Sequence, residues 1–335
     1  MDISVVVLTY NEEKNIKDCL ESVLKQEQAD GNWEILVVDG NSNDKTLEII
    51  KNLQKISDRI RLVANDKKQI AAGRNLGIRA SRYPFIAFTD ADCVVPKDWL
   101  KKLAAEYQRL SLVDQSIAGV GGGNVPFDNG SRFGQALGVY LDSFLGSFNS
   151  VQGRNFTEVK KVASLACLNV LYKKNSLIEC DSFDEKLGNI GEDADLNLRL
   201  RKKGYNLFFI PNLAVAHKLR PTLSGWLRNM ALYGQGRAIV SCKHKDYFRL
   251  FFVLPFLFVL GMLMLPLGFL HPIFFISLLY FPAIFLYASI VALKRNKISL
   301  LPVTLAIFIS THYVYSFALF IKFGQAQFSP RGLFQ

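Results

Sequence analysis

The N-terminal part of the chain alternates between short apolar runs and longer stretches in which apolar residues recur every three or four positions. Four runs rich in β-branched and aromatic residues predict β-strands that end at polar turns: ISVVVL (3–8), EILVVD (34–39), IRLVA (60–64) and FIAFTD (85–90). Amphipathic helices are predicted over 13–25, 44–55, 69–81 and 97–110. Strict alternation of strand and helix is typical of right-handed βαβ units. The pattern therefore predicts an α/β fold with a mostly parallel sheet.

From residue 250 onward the chain is almost continuously apolar. The stretches 250–270, 272–293 and 300–321 contain no charged residue. At a rise of about 1.5 Å per residue, each is about as long as a bilayer core is thick. They predict three transmembrane helices, since membrane helices also tolerate prolines such as those at 255, 266, 282 and 302. For the third stretch, which contains His312, a re-entrant segment is the alternative. The alternative, buried helices of a large soluble core, is disfavoured because such stretches leave no polar face for water.

The positive charge of the chain lies mainly around this apolar region. The 335 residues include 40 Lys and Arg against 29 Asp and Glu, a net charge of +11. Basic residues flank the apolar stretches: Lys243, Lys245 and Arg249 before the first, and Lys294, Arg295 and Lys297 after the second. By the positive-inside rule, the N-terminal part and the 294–297 loop face the cytoplasm. We therefore interpret the charge as membrane topology and expect no nucleic-acid partner.

The stretch 220–249 mixes aromatic and apolar residues with basic ones: Trp226, Leu227, Met230, Leu232 and Tyr233 with Arg228, Arg237, Lys243 and Lys245. This composition predicts an interfacial amphipathic segment lying on anionic lipid. A surface helix of the preceding domain is the alternative. The predicted organisation is a first domain at 1–219, a juxtamembrane segment at 220–249 and a transmembrane region at 250–335.

Two further features concern the cellular compartment. The five cysteines form no C-x-x-C pair, which favours reduced thiols in the cytosol over a zinc site or a disulfide framework. The chain starts with an acid at Asp2 and only a short apolar run, so we expect a strand there and not a signal peptide.

Candidate site residues follow the predicted strands, at the carboxyl ends where α/β sheets bind ligands. They are Thr9, Tyr10 and Glu12 after the first strand, Asp39 after the second, and Asp90 and Asp92 after the fourth. Asp90 and Asp92 are separated by one residue, so a tight turn can direct both carboxylates at one divalent cation bound to a diphosphate. Their alternative role is to cap the turn and the next helix. Neither G-x-G-x-x-G after the first strand nor a P-loop motif is present, which disfavours a Rossmann or Walker site.

Two basic residues are candidates as well. Arg74, within AAGRNLG, can reach a phosphate or can pair with Asp66 or Asp90. His217 follows an apolar run and is either a metal ligand or a structural histidine. Both alternatives stay open for each residue.

A second acidic motif, GEDADL, places Glu192, Asp193 and Asp195 in the first turn of a predicted helix. Acids at this position compensate the helix dipole. Alternatively, one of these carboxylates takes a proton from an acceptor hydroxyl. We expect Asp195 to pair with Arg199 on the helix surface.

In combination, these motifs resemble the family 2 glycosyltransferases of the GT-A fold. The resemblance rests on the order VVVLTYNEEKNI, EILVVDGNSNDKT, AAGRNLG, FTDADC, FDEKLG, GEDADL and VAH, over residues 3–217. The stretch 233–237 is also similar to exopolysaccharide-type members with C-terminal membrane helices. The chain lacks the Q-x-x-R-W motif of processive synthases, so polymer extrusion is not expected.

The resemblance implies a role for each matching residue. The nucleoside pocket would be lined by Thr9, Tyr10, Glu12 and Asp39. The ribose or diphosphate would be contacted by Arg74 and Asp90. The metal ion, Mg²⁺ or Mn²⁺, would be held by Asp92 together with Asp90 and His217. Asp193 would be the general base, with Glu192 as its catalytic neighbour.

The implied function is inverting transfer of a sugar from a UDP- or GDP-sugar to a hydroxyl of a lipid-linked saccharide or glycolipid, at the cytoplasmic membrane face. Three alternatives remain. One is transfer to a polyprenyl phosphate, which needs no general base, and another is a non-catalytic scaffold that binds nucleotide sugar. The third is a transporter, which is disfavoured because the apolar stretches contain no Asp, Glu, Lys or Arg. The oligomeric state is not predicted.

Overall fold

The structure, a computed structural model, describes residues 1–27, 31–127, 130–147, 157–220, 222–245 and 253–328. They form two compact units, one within 1–127 and 149–218 and the other within 128–148 and 219–335. The predicted first domain, 1–219, is therefore interrupted, because residues 130–147 belong to the unit of the C-terminal helices. The described part of the chain does not include residues 246–252. Two features of the sequence analysis lie there: Arg249, one of the basic residues used to predict the membrane topology, and residues 250–252, the start of the first predicted span.

Within the described residues, the strands of the first unit form two sheets. They are β1 Ile3–Thr9, β2 Trp33–Asp39, β3 Ile60–Ala64, β4 Phe85–Asp90, β5 Cys93–Val94, β6 Ile117–Gly121, β7 Asn124–Pro126, β8 Lys160–Lys161, β9 Val170–Lys173, β10 Asn206–Phe209 and β11 Val215–His217. The large sheet has the order β3-β2-β1-β4-β9-β6-β10-β8, and the small sheet has the order β5-β11-β7. The pairs β1–β2, β1–β4 and β2–β3 are parallel, as predicted, and β9 runs antiparallel to both of its neighbours.

The described helices, in chain order, are α1 Ile16–Leu24, α2 Thr46–Gln54, α3 Ile70–Ala80, α4 Trp99–Ser111, α5 Arg132–Leu141, α6 Phe144–Ser147, α7 Lys174–Glu179, α8 Glu192–Lys202, α9 Leu223–Lys243, α10 Val253–Leu263, α11 Tyr280–Lys294 and α12 Leu301–Phe328. The first four confirm the four predicted amphipathic helices, each within three residues of its predicted bounds.

The large sheet is covered on both faces. Side chains of a strand alternate between faces, so Val5 and Val7 of β1 join the buried cluster of α1, α2 and α4, whereas Val6 joins the opposite cluster with α3 and α8. Strands buried on both faces read as continuous apolar runs, which is why β1 and β2 lack a polar alternation. The polar residues of the site therefore appear only where these strands end.

The second unit, built from α5, α6 and α9 to α12, has its own buried cluster. Trp226 of α9 is 4% exposed and donates its indole N–H to Thr311 Oγ1 of α12 at 2.8 Å. Met230 is also buried. Both residues were expected at a lipid interface, and they lie inside instead: the indole N–H has a partner within the unit, and both side chains belong to its buried cluster.

Two helical stretches in the described residues are long and apolar enough to cross a bilayer, Pro272–Lys294 and Ile298–Ala326, with mean hydropathies of 2.1 and 1.6. They correspond to the second and third predicted spans. The first predicted span differs, because its described part is the 11-residue α10 followed by a 3₁₀ helix, Leu265–Phe269. Pro266 lies at the start of that 3₁₀ helix, and a proline interrupts α-helical hydrogen bonding at such a point.

Candidate active site

The carboxyl ends of β1, β2 and β4 bring together the polar residues predicted from their positions after these strands. Thr9 is the register partner of Asp39 across β1 and β2, and Asp90 pairs with Leu8 across β1 and β4. The strands are parallel, so all three ends lie at one edge of the sheet. This register places the nucleoside-pocket candidates beside the first aspartate of the D-x-D motif.

The loops that follow β1 and β2 are joined by hydrogen bonds. Asn11 N donates to Ser42 Oγ at 2.9 Å, and Glu12 N donates to Thr46 Oγ1 at 2.8 Å. Ser42 in turn donates its N–H and its hydroxyl to the Asp39 carboxylate, at 2.8 and 2.5 Å. Both carboxylate oxygens of Asp39 are therefore used to hold the turn, and each keeps further acceptor capacity for a ligand.

The side chains at this edge differ in exposure. Thr9 is buried, and among the described residues its hydroxyl has no hydrogen-bond partner. Tyr10 is 51% exposed, and Lys68 Nζ lies 5.8 Å from the centroid of its ring. Glu12 lies between these extremes and accepts a hydrogen bond from Asn15 Nδ2 at 2.6 Å. The three residues thus offer a hydroxyl, an aromatic face and a carboxylate along one rim.

Arg74 of α3 connects this edge to the second acidic motif. Gly77 lets α3 approach β1 closely, because a Cβ there would lie 2.5 Å from Val6 Cγ1. The guanidinium of Arg74 donates to Glu192 Oε1 and lies 3.8 Å from Asp90 Oδ1. From the sequence, Asp66 and Asp90 were the two partners considered for Arg74. In the described residues Arg74 lies beside Asp90 and not beside Asp66, and it also pairs with Glu192, which was not expected.

Carboxylates outweigh the positive charge of Arg74 in this region. Burial raises the pKa of Glu192, Arg74 opposes the shift and Asp193 adds to it. Enclosure by protein likewise raises the pKa of Asp90, against the effect of Arg74 and with that of Asp92, even though 35% of the Asp90 side chain is open to solvent. The carboxylates therefore repel one another, and a bound divalent cation would relieve that repulsion.

Asp92 and His217 meet on the small sheet. His217 is the register partner of Cys93 across β11 and β5, and its Nε2 lies 3.3 Å from Asp92 Oδ2. The ligand atoms of Asp92, Cys93 and His217 all lie within 4.8 Å of one another. Carboxylate oxygen and imidazole nitrogen are suitable ligands for Mn²⁺, so the residues fit a metal site of the predicted kind.

The three acids in the first turn of α8 differ in their burial and in their hydrogen-bond partners. Glu192 is 6% exposed and bound to Arg74, whereas Asp193 is only partly buried. Asp195 is fully buried and accepts from Arg199 Nε at 2.8 Å, while the Arg199 guanidinium also donates to Ser182 O. The expected Asp195–Arg199 pair exists, but it is buried and anchors the preceding loop, and does not lie on the surface.

Residues 4–180 match the family described as "Glycosyl transferase family 2", and this match covers more than half of the chain. The chain belongs to this family. The resemblance of the sequence motifs is thereby confirmed, and so is the expectation of a glycosyltransferase.

Two curated relatives of this family 2 glycosyltransferase come from archaea. One is the "dolichyl N-acetyl-alpha-D-glucosaminyl phosphate 3-beta-D-2,3-diacetamido-2,3-dideoxy-beta-D-glucuronosyltransferase" of Methanococcus voltae, 29% identical over 264 residues, which are 78% of this chain and 80% of that protein. The other is "Glycosyltransferase AglE" of Haloferax volcanii, 28% identical over 267 residues, with 79% and 82% coverage.

Solved structures support the fold. The mannosyltransferase PcManGT from Pyrobaculum calidifontis, solved with GDP-Man and Mn²⁺, aligns with a TM-score of 0.57 at 17% identity, covering 92% of this chain and 85% of that one. TarS of S. aureus aligns with a TM-score of 0.51 at 19% identity, covering 74% and 43%. These likenesses confirm the predicted GT-A fold of the family 2 glycosyltransferase.

Two residues that lie beside the predicted metal ligands were not singled out from the sequence. Cys93 follows the D-x-D motif directly, and Asn124 of β7 lies with its Nδ2 3.2 Å from His217 Nδ1. Cys93 carried a signal, since it is adjacent to the motif within FTDADC. Asn124 carried none, because it belongs to no motif and comes near His217 only through the pairing of β7 with β11.

Proposed function

We propose that this glycosyltransferase moves a sugar from a nucleotide-sugar donor to a hydroxyl of a lipid-linked saccharide or glycolipid, with inversion at the anomeric carbon. The Methanococcus voltae relative carries a dolichyl-linked sugar acceptor in its name, and it matches most of both chains. This supports a lipid-linked acceptor here. The donor is a UDP-sugar or a GDP-sugar.

The observation that carries the proposal is the arrangement around Arg74. The guanidinium binds Glu192 and lies beside Asp90, which leaves Asp193 as the partly exposed carboxylate of the pair. Asp193 takes the proton of the acceptor hydroxyl while that oxygen forms its bond to the anomeric carbon and the bond from that carbon to the diphosphate breaks. Glu192 is better described as a positioning residue, because its carboxylate is held by Arg74.

Asp92 and His217, with Asp90, would hold the divalent cation, Mg²⁺ or Mn²⁺. When bound, such an ion supplies positive charge that stabilises the leaving diphosphate. Thr9, Tyr10, Glu12 and Asp39 would form the nucleoside pocket, where Tyr10 offers its exposed ring and the buried Thr9 hydroxyl offers an unused donor and acceptor.

We further propose that the C-terminal helices lie in the cytoplasmic membrane and that the catalytic unit faces the cytoplasm. The helix of a soluble core is mostly buried, but only 11% of the apolar window in Pro272–Lys294 is buried. Contiguous exposed apolar surface of this kind marks a membrane or protein contact. The basic residues at 294–297 support the cytoplasmic side for their loop.

The Asp193→Asn variant tests the chemistry. We expect transfer to fall by about 10²- to 10⁴-fold, the usual contribution of a general base, while nucleotide-sugar binding is retained. Transfer is measured with radiolabelled donor and membrane lipid extract, and binding is measured by thermal shift. Asp58→Asn, at an exposed turn, serves as the matched control and should behave as wild type.

Full transfer by Asp193→Asn would refute the base assignment and would favour an acceptor that is already anionic, such as a polyprenyl phosphate. The donor is identified by a thermal-shift panel of UDP- and GDP-sugars with and without Mn²⁺, because a ligand that binds the native state stabilises it. Donor hydrolysis in the same panel separates an enzyme from a non-catalytic scaffold.

A further inference from the structure

The His217 imidazole lies against the side chain of Asn124. The two residues lie on paired strands, since Val215 of β11 is the register partner of Asn124 of β7, and the Asn124 side chain reaches forward to the imidazole. Asn124 is 7% exposed, so water does not compete freely for its amide. His217 therefore contacts a buried amide through Nδ1 and the Asp92 carboxylate through Nε2.

As placed, the amide nitrogen of Asn124 faces His217 Nδ1 at 3.2 Å. An amide N–H only donates, so Nδ1 accepts and the ring hydrogen lies on Nε2, directed at Asp92 Oδ2 at 3.3 Å. In this tautomer Nε2 has no lone pair for a metal. The imidazole and the Asp92 carboxylate then satisfy each other, and the site is held closed to a cation.

The other end of the same amide is not satisfied. Asn124 Oδ1 is buried, and it has no hydrogen-bond partner in the part of the chain that the structure describes. The two ends of an amide have nearly the same shape, so a half-turn of the side chain brings Oδ1 to Nδ1 without a change in packing. Nδ1 must then carry the hydrogen, and the lone pair of Nε2 becomes available beside Asp92. Without a cation, this second orientation sets the Nε2 lone pair against the Asp92 carboxylate, so it becomes favourable only when a cation binds beside both groups.

We infer that Asn124 is a positioning residue that sets the tautomer of His217, and that its amide turns when a divalent cation binds. The inference rests on the metal site of the proposed function. Partners that orient a ligating histidine commonly contribute 10- to 100-fold to metal affinity. Asn124 also stabilises a metal-free state in which the Nε2–H of His217 is hydrogen-bonded to Asp92.

The test is Mn²⁺ affinity, measured by the electron paramagnetic resonance signal of free Mn²⁺ with the full chain in detergent and with UDP or GDP present. Asn124→Leu keeps the branched shape of the side chain and removes both polar atoms, and we expect affinity about 10- to 100-fold weaker. Asn124→Asp can only accept, so it enforces the Nδ1–H tautomer and should restore or exceed the wild-type affinity. Thr89→Val, which also removes a buried hydroxyl without a described partner, is the control and should leave affinity unchanged.

A double-mutant cycle with His217→Ala separates positioning from packing or charge. If Asn124 acts through His217, Asn124→Leu has no further effect in the His217→Ala background, and Asn124→Asp retains only the effect of its added charge. Equal loss in both backgrounds, or wild-type affinity in Asn124→Leu, would overturn the inference and leave the metal site standing. Absence of saturable Mn²⁺ binding by the wild type would overturn both.

Discussion

The two units place the same kinds of residue in opposite positions. In β1 of the first unit, Val5, Val6 and Val7 are fully buried, whereas in α11 of the second unit Leu286 is 61% exposed and Phe285 is 52% exposed. Burial of apolar surface drives folding in water, so the first unit is built for an aqueous environment. The second unit leaves such surface outside over two long helices, as expected of helices surrounded by lipid. Composition alone does not distinguish the two units, because both are rich in apolar residues. The difference is whether these residues are buried inside the unit or exposed on its surface.

The largest expected effect concerns the polar interior of the first unit. Arg74→Met removes the cation that faces the buried Glu192 and should lower the free energy of unfolding by about 3–5 kcal/mol, because an unpaired charge remains inside. Transfer activity should be lost as well. Denaturant unfolding of the detergent-solubilised chain measures the effect.

The matched control for this substitution is Arg109→Met, which breaks a pair with Glu106 at an exposed position and should cost at most about 1 kcal/mol. Adding Glu192→Gln to Arg74→Met should recover much of the stability. Equal destabilisation by the two arginine variants would mean that the Arg74 pair is no more buried in solution than a surface pair.

The direct test of the contrast between the units is a lysine on each exposed apolar surface. Leu286→Lys, in the middle of α11, should reduce membrane insertion at an apparent cost of about 2.5–3.5 kcal/mol if that face contacts lipid. Leu112→Lys, at an 86% exposed position of the first unit, should have almost no effect. Carbonate extraction of membranes followed by immunoblotting measures the integrated fraction. Similar behaviour of both variants would show that α11 faces water.

The smallest expected effect lies inside the second unit. Thr311→Val leaves the buried indole N–H of Trp226 without its acceptor and should cost about 1–3 kcal/mol, the usual penalty for a buried donor left without a partner. Ser289→Ala, whose hydroxyl is exposed and bonds within its own helix, is the control. A change in thermal stability of the same size in both variants would argue that the Trp226–Thr311 contact is not formed in the protein.

The sequence allowed prediction of features that depend on neighbours along the chain. The strands β1 to β4 and the helices α1 to α4 follow from local periodicity, and the carboxyl-end position of Asp39 and Asp90 follows from the parallel sheet. Local sequence patterns did not predict which distant residues come together in the site. Arg74 and Glu192 are 118 positions apart, and Asp92 and His217 are 125 positions apart, so only the motif resemblance brought them into one site.

Other differences have local physical causes. The segment 130–147 was assigned to the first domain because nothing in its composition separates it, yet α5 carries an apolar face, Ala136, Leu137 and Tyr140, that packs with the buried cluster of the second unit. Trp226 was expected at a lipid surface because aromatic and basic residues alternate around it, but hydropathy does not tell an outward tryptophan from one that has a hydrogen-bond partner inside.

The chain path of the second unit has a consequence for biosynthesis. Helix α5 is synthesised between the two halves of the first unit, but its partners α9, α11 and α12 leave the ribosome only after the whole first unit. Domains tend to fold as units in the order of synthesis. The apolar face of α5 must therefore stay uncovered while the catalytic unit folds around its own sheet, and it is covered only when the last helices arrive. A chain truncated after residue 218 would lack the helices that cover the apolar face of α5, so we expect such a fragment to aggregate more readily than the full chain.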